Sequence, residues 1–163
     1  MSRVYLPTTL AGLRGALEVG SLDATVGYAV TPRLREWYAE GDLEELEYAA
    51  TAAAARASLR LLVESESRRR VVLAVEVADG AATPAPDVDR AAVRLAAAVP
   101  WSAVDSALVD DPSAADDVAK ALAVLVAADA GDEDAAFTVD AVEDHELGWY
   151  AVQELPALVA LEA

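Results

Sequence analysis

In this chain, proton transfer or metal binding would depend on a short acidic segment near the C-terminus that contains the single histidine. Glu143, His145 and Glu146 lie within four consecutive positions, and Trp149 follows them closely. Carboxylates and an imidazole can exchange protons with a substrate, and carboxylate oxygens can also ligate Mg²⁺. These three residues are therefore the candidate catalytic residues.

A helical interpretation of this segment places Glu146 in unusual surroundings. With about 3.6 residues per turn, Val142, Glu146 and Trp149 share one face of a predicted long C-terminal helix, which Asp132 can cap. A carboxylate between apolar neighbours is paired, protonated or at the rim of a pocket. We expect an ionic partner, and an arginine of residues 1–95 before a metal ion, because eleven of the twelve basic residues lie there.

Two pairs of glutamates are the candidate metal ligands. Glu44 and Glu47 have the same Glu-x-x-Glu spacing as Glu143 and Glu146. This spacing resembles the acidic motifs with which all-helical nucleotide pyrophosphohydrolases hold magnesium, and Mg²⁺ and Mn²⁺ favour carboxylate oxygens. The structural alternative is an acidic first turn of a helix, favoured by the helix dipole, with His145 hydrogen-bonded to a neighbour. No other cofactor is expected.

Familiar catalytic signatures are missing from the sequence. There is no Gly-rich phosphate loop, no Gly-x-Ser-x-Gly segment and no cysteine that could act as a nucleophile. The strands predicted below also argue against an all-helical pyrophosphohydrolase. These absences favour a protein without enzymatic activity, although the sequence alone leaves that question open.

Charge is distributed unevenly along the chain. The formal net charge is −17, of which residues 1–95 contribute −3 and residues 96–163 contribute −14, with Lys120 as the only base in the second part. A negative field repels phosphate backbones, so we expect no nucleic-acid binding. A basic protein surface or a divalent cation is the natural complement. Solubility alone is the simpler interpretation of the charge.

No segment predicts insertion into a membrane or export. The longest uncharged runs, Val4–Leu13 and Leu95–Val104, have 10 residues each, whereas a membrane-spanning helix needs roughly 20. The N-terminus lacks the apolar stretch of a signal peptide. We therefore expect a cytoplasmic protein.

Alternating strand and helix patterns indicate an α+β fold. We expect one domain over residues 1–163, with a mixed sheet of four or five strands packed against helices. The continuously apolar segment Val71–Ala78 predicts an interior strand, and Leu43–Val63, capped by Asp42, predicts a long middle helix. Residues 79–91, which contain Gly80, Pro84 and Pro86, predict a flexible loop. The other strands are expected at Arg3–Thr8, Thr25–Val30, Ala92–Val99 and Ser106–Asp110.

Several short motifs, taken together, resemble a known family. They are Arg3–Thr9, Tyr28–Pro32, Arg35–Tyr38, Glu47–Ala50, Gly131–Asp134, Glu143–Leu147 and Trp149-Tyr150. With an N-terminal RVYLPTT and a C-terminal EDHELxWY, the chain resembles short uncharacterised actinobacterial proteins that are grouped as a domain of unknown function. The resemblance covers nearly the whole chain. It implies a bacterial, cytoplasmic, single-domain protein and no particular activity, cofactor or catalytic residue.

Two functions follow from these patterns. The first is a non-enzymatic cytoplasmic adaptor or regulator that presents the acidic C-terminal surface to a basic partner. The alternative is a metal-dependent hydrolase of a small phosphorylated or nucleotide substrate. A hydrolase requires His145 and Glu146 in a concave site with further carboxylates nearby, whereas an adaptor requires an exposed acidic face.

Overall fold

The computed structural model describes residues 1–162, in which short strands alternate with helices. The strands are β1 (Ser2–Thr8), β2 (Ser21–Leu22), β3 (Val26–Tyr28), β4 (Val71–Val77), β5 (Ala82–Pro84), β6 (Ala92–Leu95), β7 (Val99–Pro100), β8 (Val104–Val109) and β9 (Gly148–Ala151). The helices are α1 (Leu10–Val19), α2 (Pro32–Trp37), α3 (Leu43–Leu61), α4 (Ala115–Asp129), α5 (Glu133–Asp140) and α6 (Leu155–Leu161). Within residues 1–162, no helix has both the length and the apolar character needed to cross a membrane.

Seven of the strands in the described residues form one antiparallel sheet in the order β5-β6-β3-β1-β4-β8-β9. β4 pairs with β1 over its whole length and with β8 on its other side, so the prediction of an interior strand at Val71–Ala78 is confirmed. The predicted class, α+β, also agrees with the structure. The predicted size of the sheet, four or five strands, was too small, and the sheet is antiparallel throughout and not mixed.

Helices cover both faces of β4, which explains its continuous apolar sequence. Val71, Leu73 and Val75 face a core that includes buried residues of α1 and α6. Val72 and Ala74 face the opposite side, where they pack with the alanine-rich middle of α3. A strand whose side chains leave water on both faces needs apolar residues at every position.

The middle helix α3 begins where its cap predicts. The Asp42 carboxylate accepts a hydrogen bond from the Glu45 amide at 2.9 Å, which satisfies one of the free N–H groups of the first turn. Ser58, near the other end of α3, is fully buried between two strands. Its hydroxyl donates to the Thr8 carbonyl at 2.7 Å and accepts from the Val71 amide at 2.9 Å. Ser58 thus joins α3 to the adjoining ends of β1 and β4.

The prediction of a long C-terminal helix is wrong. α5 ends at Asp140, a 3-10 turn covers Ala141–Asp144, and the chain then extends into β9, which pairs with β8. The aromatic residues of β9 favour a strand, and the open edge of β8 supplies the backbone partners that a helix would otherwise supply from within. The shared helical face of Val142, Glu146 and Trp149 therefore does not exist, and Glu146 is exposed.

Part of the predicted loop at residues 79–91 is also ordered as a strand. Ala82–Pro84 forms β5 at one edge of the sheet and pairs with β6, with Thr83 opposite Arg94. Pro84 is tolerated because an edge strand leaves one side of its backbone without a ladder partner. Ala85, next to it, is fully buried and anchors the segment.

Candidate functional site

A buried ion pair between Arg70 and Asp110 organises the region that contains the candidate residues. Arg70 Nε and Nη2 donate to Asp110 Oδ2 and Oδ1, each at 2.8 Å. The side chains are 2% and 0% exposed. Asp110 Oδ2 also accepts from the Arg70 backbone amide at 2.9 Å. This bidentate contact is the strongest arrangement of a guanidinium and a carboxylate.

Sheet register brings these two residues together across 40 positions of sequence. Arg70 immediately precedes β4, and Asp110 immediately follows β8. Because β4 and β8 are antiparallel, with Val71 opposite Val109, the start of one strand adjoins the end of the other. The sequence patterns do not reveal this pair, since an arginine run before a strand is equally typical of an exposed flank. An acid directly after the partner strand was the available signal.

Arg70 also determines the path of the chain after α5. Its Nη2 donates to the Val142 carbonyl at 3.2 Å and to the His145 carbonyl at 3.0 Å. These two acceptors lie on either side of the point where the 3-10 turn gives way to extended backbone. The buried guanidinium therefore positions the segment that carries all three candidate catalytic residues.

His145 links this segment to α4. Its Nε2 lies 2.7 Å from Asp117 Oδ2, and the imidazole is about one-third exposed (29%). The hydrogen bond from His145 holds the pKa of the Asp117 carboxyl below its ordinary value, and the charge of Lys120 acts in the same direction. This geometry agrees with the structural alternative for His145, in which it is hydrogen-bonded to a neighbour.

The two candidate glutamates differ in their contacts. Glu143 forms an ion pair with Arg56 of α3, with 2.7 Å between Oε1 and Nη1, and both side chains are nearly half exposed. Glu146 is exposed and forms no ion pair within residues 1–162. An arginine of residues 1–95 does reach this segment, as expected, but it binds Glu143. The expectation that Glu146 has the ionic partner is wrong, because the helical face on which it depended is absent.

A cavity of about 420 Å³ opens beside Arg70, and we call it the Arg70 cavity. All three candidate catalytic residues line it. The other lining residues come from α3, β8 and the segments next to β4 and β9: Tyr48, Thr51, Ala52, Ala55, Arg70, Leu108 and Leu147. The fold therefore collects residues from four distant segments around one concave space.

A second cavity of about 620 Å³ adjoins the first along α3, and we call it the acidic cavity. Its charged lining residues are Asp42, Glu44, Glu45, Glu143 and Arg56. Tyr48, Ala52 and Glu143 line both cavities, so the two spaces meet at these side chains.

The candidate metal ligands are divided among several places. Glu44 and Glu143 line the acidic cavity, and Glu143 and Glu146 line the Arg70 cavity. Glu47 lies elsewhere, in a depression with Arg3 and Arg35. In the part of the chain that the structure describes, no three carboxylate or imidazole side chains are grouped closely enough to hold a metal ion together.

The fold and the site define an α+β protein in which a buried arginine–aspartate pair shapes a cavity beside an antiparallel sheet. The chain belongs to the Family of unknown function (DUF6912), whose model matches residues 2–159. No curated protein and no solved structure matches the chain. Membership in a family of unknown function over nearly the whole chain agrees with the resemblance seen in the sequence, and it assigns no activity.

Proposed function

We propose that this protein is a non-enzymatic cytoplasmic adaptor, in an actinobacterial setting, that binds a basic partner protein. The binding surface is the hairpin formed by α4 and α5, residues 115–140, which we call the acidic hairpin. Lys120 is its only basic residue, whereas it contains seven carboxylates: Asp116, Asp117, Asp129, Asp132, Glu133, Asp134 and Asp140. Its field attracts cationic surfaces and repels nucleic acid.

One feature of the acidic hairpin carries the proposal. Phe137, in the middle of α5, has 77% of its surface exposed. Glu133, Asp134 and Asp140 are three or four positions away on the same helix, so they surround the ring on the helix surface. An exposed aromatic side chain within a polar, charged rim is the usual composition of a protein-binding surface.

Two carboxylates of the hairpin already bind side chains from outside it. Asp129 accepts two hydrogen bonds of 2.8 Å from the guanidinium of Arg60 on α3, and these bonds lower the pKa of Asp129. Asp117 is bound to His145. Both contacts hold the hairpin against the rest of the molecule. The acids around Phe137 form no ion pair with residues 1–162, so a partner's cations can reach them.

The adaptor proposal is tested by placing a photo-crosslinking phenylalanine analogue at Phe137 and, as a control, at the equally exposed Val19 of α1. We expect one basic protein to be captured at position 137 and not at position 19. With purified components, the affinity of the captured protein for this protein should fall at least about tenfold when the salt concentration is raised. It should fall by a similar factor when Glu133, Asp134 and Asp140 are replaced by the corresponding amides. Capture of the same protein at both positions, or binding that the neutral variant leaves unchanged, would contradict the proposal.

A metal-dependent hydrolase of a small phosphorylated or nucleotide substrate is the second candidate. It is favoured by one observation, the joint presence of Glu143, His145 and Glu146 in the lining of the Arg70 cavity. If Mg²⁺ or Mn²⁺ binds there, either ion should raise the Tm of the wild type relative to EDTA and should not raise that of Glu146→Gln. Glu133→Gln, on the acidic hairpin, is the matched control. Equal Tm values for wild type and Glu146→Gln, with EDTA and with either ion, would exclude the hydrolase.

A further inference from the structure

The guanidinium of Arg70 has one nitrogen without a protein partner. Nε and Nη2 are occupied by Asp110 and by two carbonyl groups, but Nη1 has no acceptor within residues 1–162. In the same residues, no side-chain nitrogen or oxygen is fully enclosed without a hydrogen bond. Nη1 therefore keeps a small contact with solvent, although the side chain as a whole is only 2% exposed. The space that Arg70 lines is the Arg70 cavity.

The walls of the Arg70 cavity are mostly apolar. The apolar lining residues are Ala52 and Ala55 of α3, Leu108, Leu147 and the ring of Tyr48, which is exposed. A volume of about 420 Å³ that combines apolar walls with a set of polar side chains is typical of a site for a small organic molecule. The polar lining residues are Thr51, Arg70, Glu143, His145 and Glu146. An apolar body can fill this space while one oxygen atom accepts a hydrogen bond from Nη1.

Acidic side chains also line the Arg70 cavity. Glu143 and Glu146 line it with exposed side chains, and Glu143 also lines the acidic cavity. The acidic cavity adds Asp42, Glu44 and Glu45 and contains Arg56 as its only base. A simple anion would be repelled on entry, since Asp110 already neutralises Arg70. A cationic group at the mouth would be attracted.

We propose that the Arg70 cavity binds a small amphiphilic molecule with an acceptor oxygen at one end and a cationic amine at the other. The oxygen accepts from Arg70 Nη1, the apolar body lies between Ala52 and Leu108, and the amine lies near Glu146. Arg70 acts as a recognition residue here in addition to its role in the fold. This binding site is distinct from the acidic hairpin, and it stands or falls independently of the adaptor function.

The probe is 4-(aminomethyl)benzoate, which has a carboxylate and an ammonium group at opposite ends of one ring. Benzoate and benzylamine each lack one of the two ends. In a methyl NMR titration, the methyl groups of Leu108 and Leu147 should shift and those of Val19 should not. The two-ended probe should bind at least about tenfold more tightly than either one-ended compound.

Three variants make the test specific to the cavity. Ala52→Leu fills the space without touching the ion pair and should abolish the shifts, whereas Ala123→Leu, on the exposed side of α4, should leave them unchanged. Glu146→Gln should reduce the affinity for 4-(aminomethyl)benzoate to that for benzoate. Equal Tm values for wild type and variants establish that each is folded. No shift at about 10 mM probe, equal affinity for all three compounds, or shifts that survive Ala52→Leu would overturn the proposal.

Discussion

Arg70 makes three separate contributions to the structure. It neutralises a buried carboxylate, caps two carbonyl groups after α5 and borders a cavity. A buried ion pair contributes little net stability compared with apolar residues of the same shape, but the loss of one partner leaves a buried charge without compensation. The two partners are therefore interdependent.

Asp110→Asn is expected to destabilise the fold by about 3–5 kcal/mol, because it removes the charge that compensates the buried guanidinium of Arg70. The free energy of unfolding from urea denaturation measures the effect. Asp105→Asn is the control, since Asp105 is an exposed partner of Arg3 and its loss should change little. Similar values for the two variants would show that burial of the Arg70 pair has no energetic consequence.

The Asp117–His145 contact predicts a dependence of stability on acid pH. The pKa of Asp117 is lowered in the folded protein, so the folded state binds fewer protons than the unfolded state near pH 3.8, the ordinary value. The stabilisation is present above that pH and is lost as the pH falls toward the lowered pKa. Asp117→Asn should therefore lower Tm at neutral pH, and its difference from wild type should shrink below about pH 4.

Thermal melts from pH 7 to pH 3 measure this difference. Asp116→Asn, an exposed acid on the same helix, serves as the control. If the two variants keep a constant offset from wild type across the whole range, the hydrogen bond to His145 does not contribute in the folded protein.

Among the elements, α3 connects most of the molecule. Its alanines pack on one face of the sheet, its Arg56 and Arg60 bind the segment after α5 and the end of α4, and its Ser58 reaches two strands. None of these contacts follows from the backbone hydrogen bonds of α3. Each depends on the position along the helix from which the side chain projects.

Ser58→Ala is expected to cost about 1–3 kcal/mol, because it leaves the buried Val71 amide and Thr8 carbonyl without their hydroxyl partner. Urea denaturation measures the loss. Thr138→Ala is the matched control, because the Thr138 hydroxyl bonds only to the Asp134 carbonyl on an exposed helix face, and we expect a change within about 0.5 kcal/mol. A loss no larger than that of the control would contradict the connecting role of Ser58.

On the scale of the whole molecule, charge divides the chain into two parts. Residues 1–95 contain all eleven arginines and have a net charge of −3, whereas residues 96–163 have a net charge of −14. The ion pairs Arg56–Glu143, Arg60–Asp129 and Arg70–Asp110 join the two parts. The excess of acids stays on the outside, where it is available to partners.

The protein should not retain duplex DNA at physiological salt, because the acidic part repels phosphates. Fluorescence anisotropy with a labelled duplex tests this expectation. A variant in which Glu133, Asp134 and Asp140 are neutral amides is the control for the role of the acidic hairpin. Tight binding by the wild type that is lost when residues after Leu95 are substituted would contradict the charge argument.

The sequence by itself determined the elements that depend on local patterns. The apolar run at β4, the Asp42 cap of α3 and the α+β class follow from periodicity, capping and propensity, which act between neighbours in the chain. The sequence also led to the expectation of a family of unknown function, and a model of such a family matches residues 2–159. The same local reasoning identified Glu143, His145 and Glu146 as a group, and the structure places all three around one cavity.

Only the tertiary structure decided what this group contacts. The sequence pattern of residues 148–151 is compatible with a helix, but pairing with β8 makes them a strand. β8 lies about 40 positions earlier in the chain. The Arg70–Asp110 and Arg56–Glu143 contacts likewise join residues 40 and 87 positions apart. Such contacts depend on sheet order and register, which local propensity does not specify, and they determined which glutamate is paired and which is exposed.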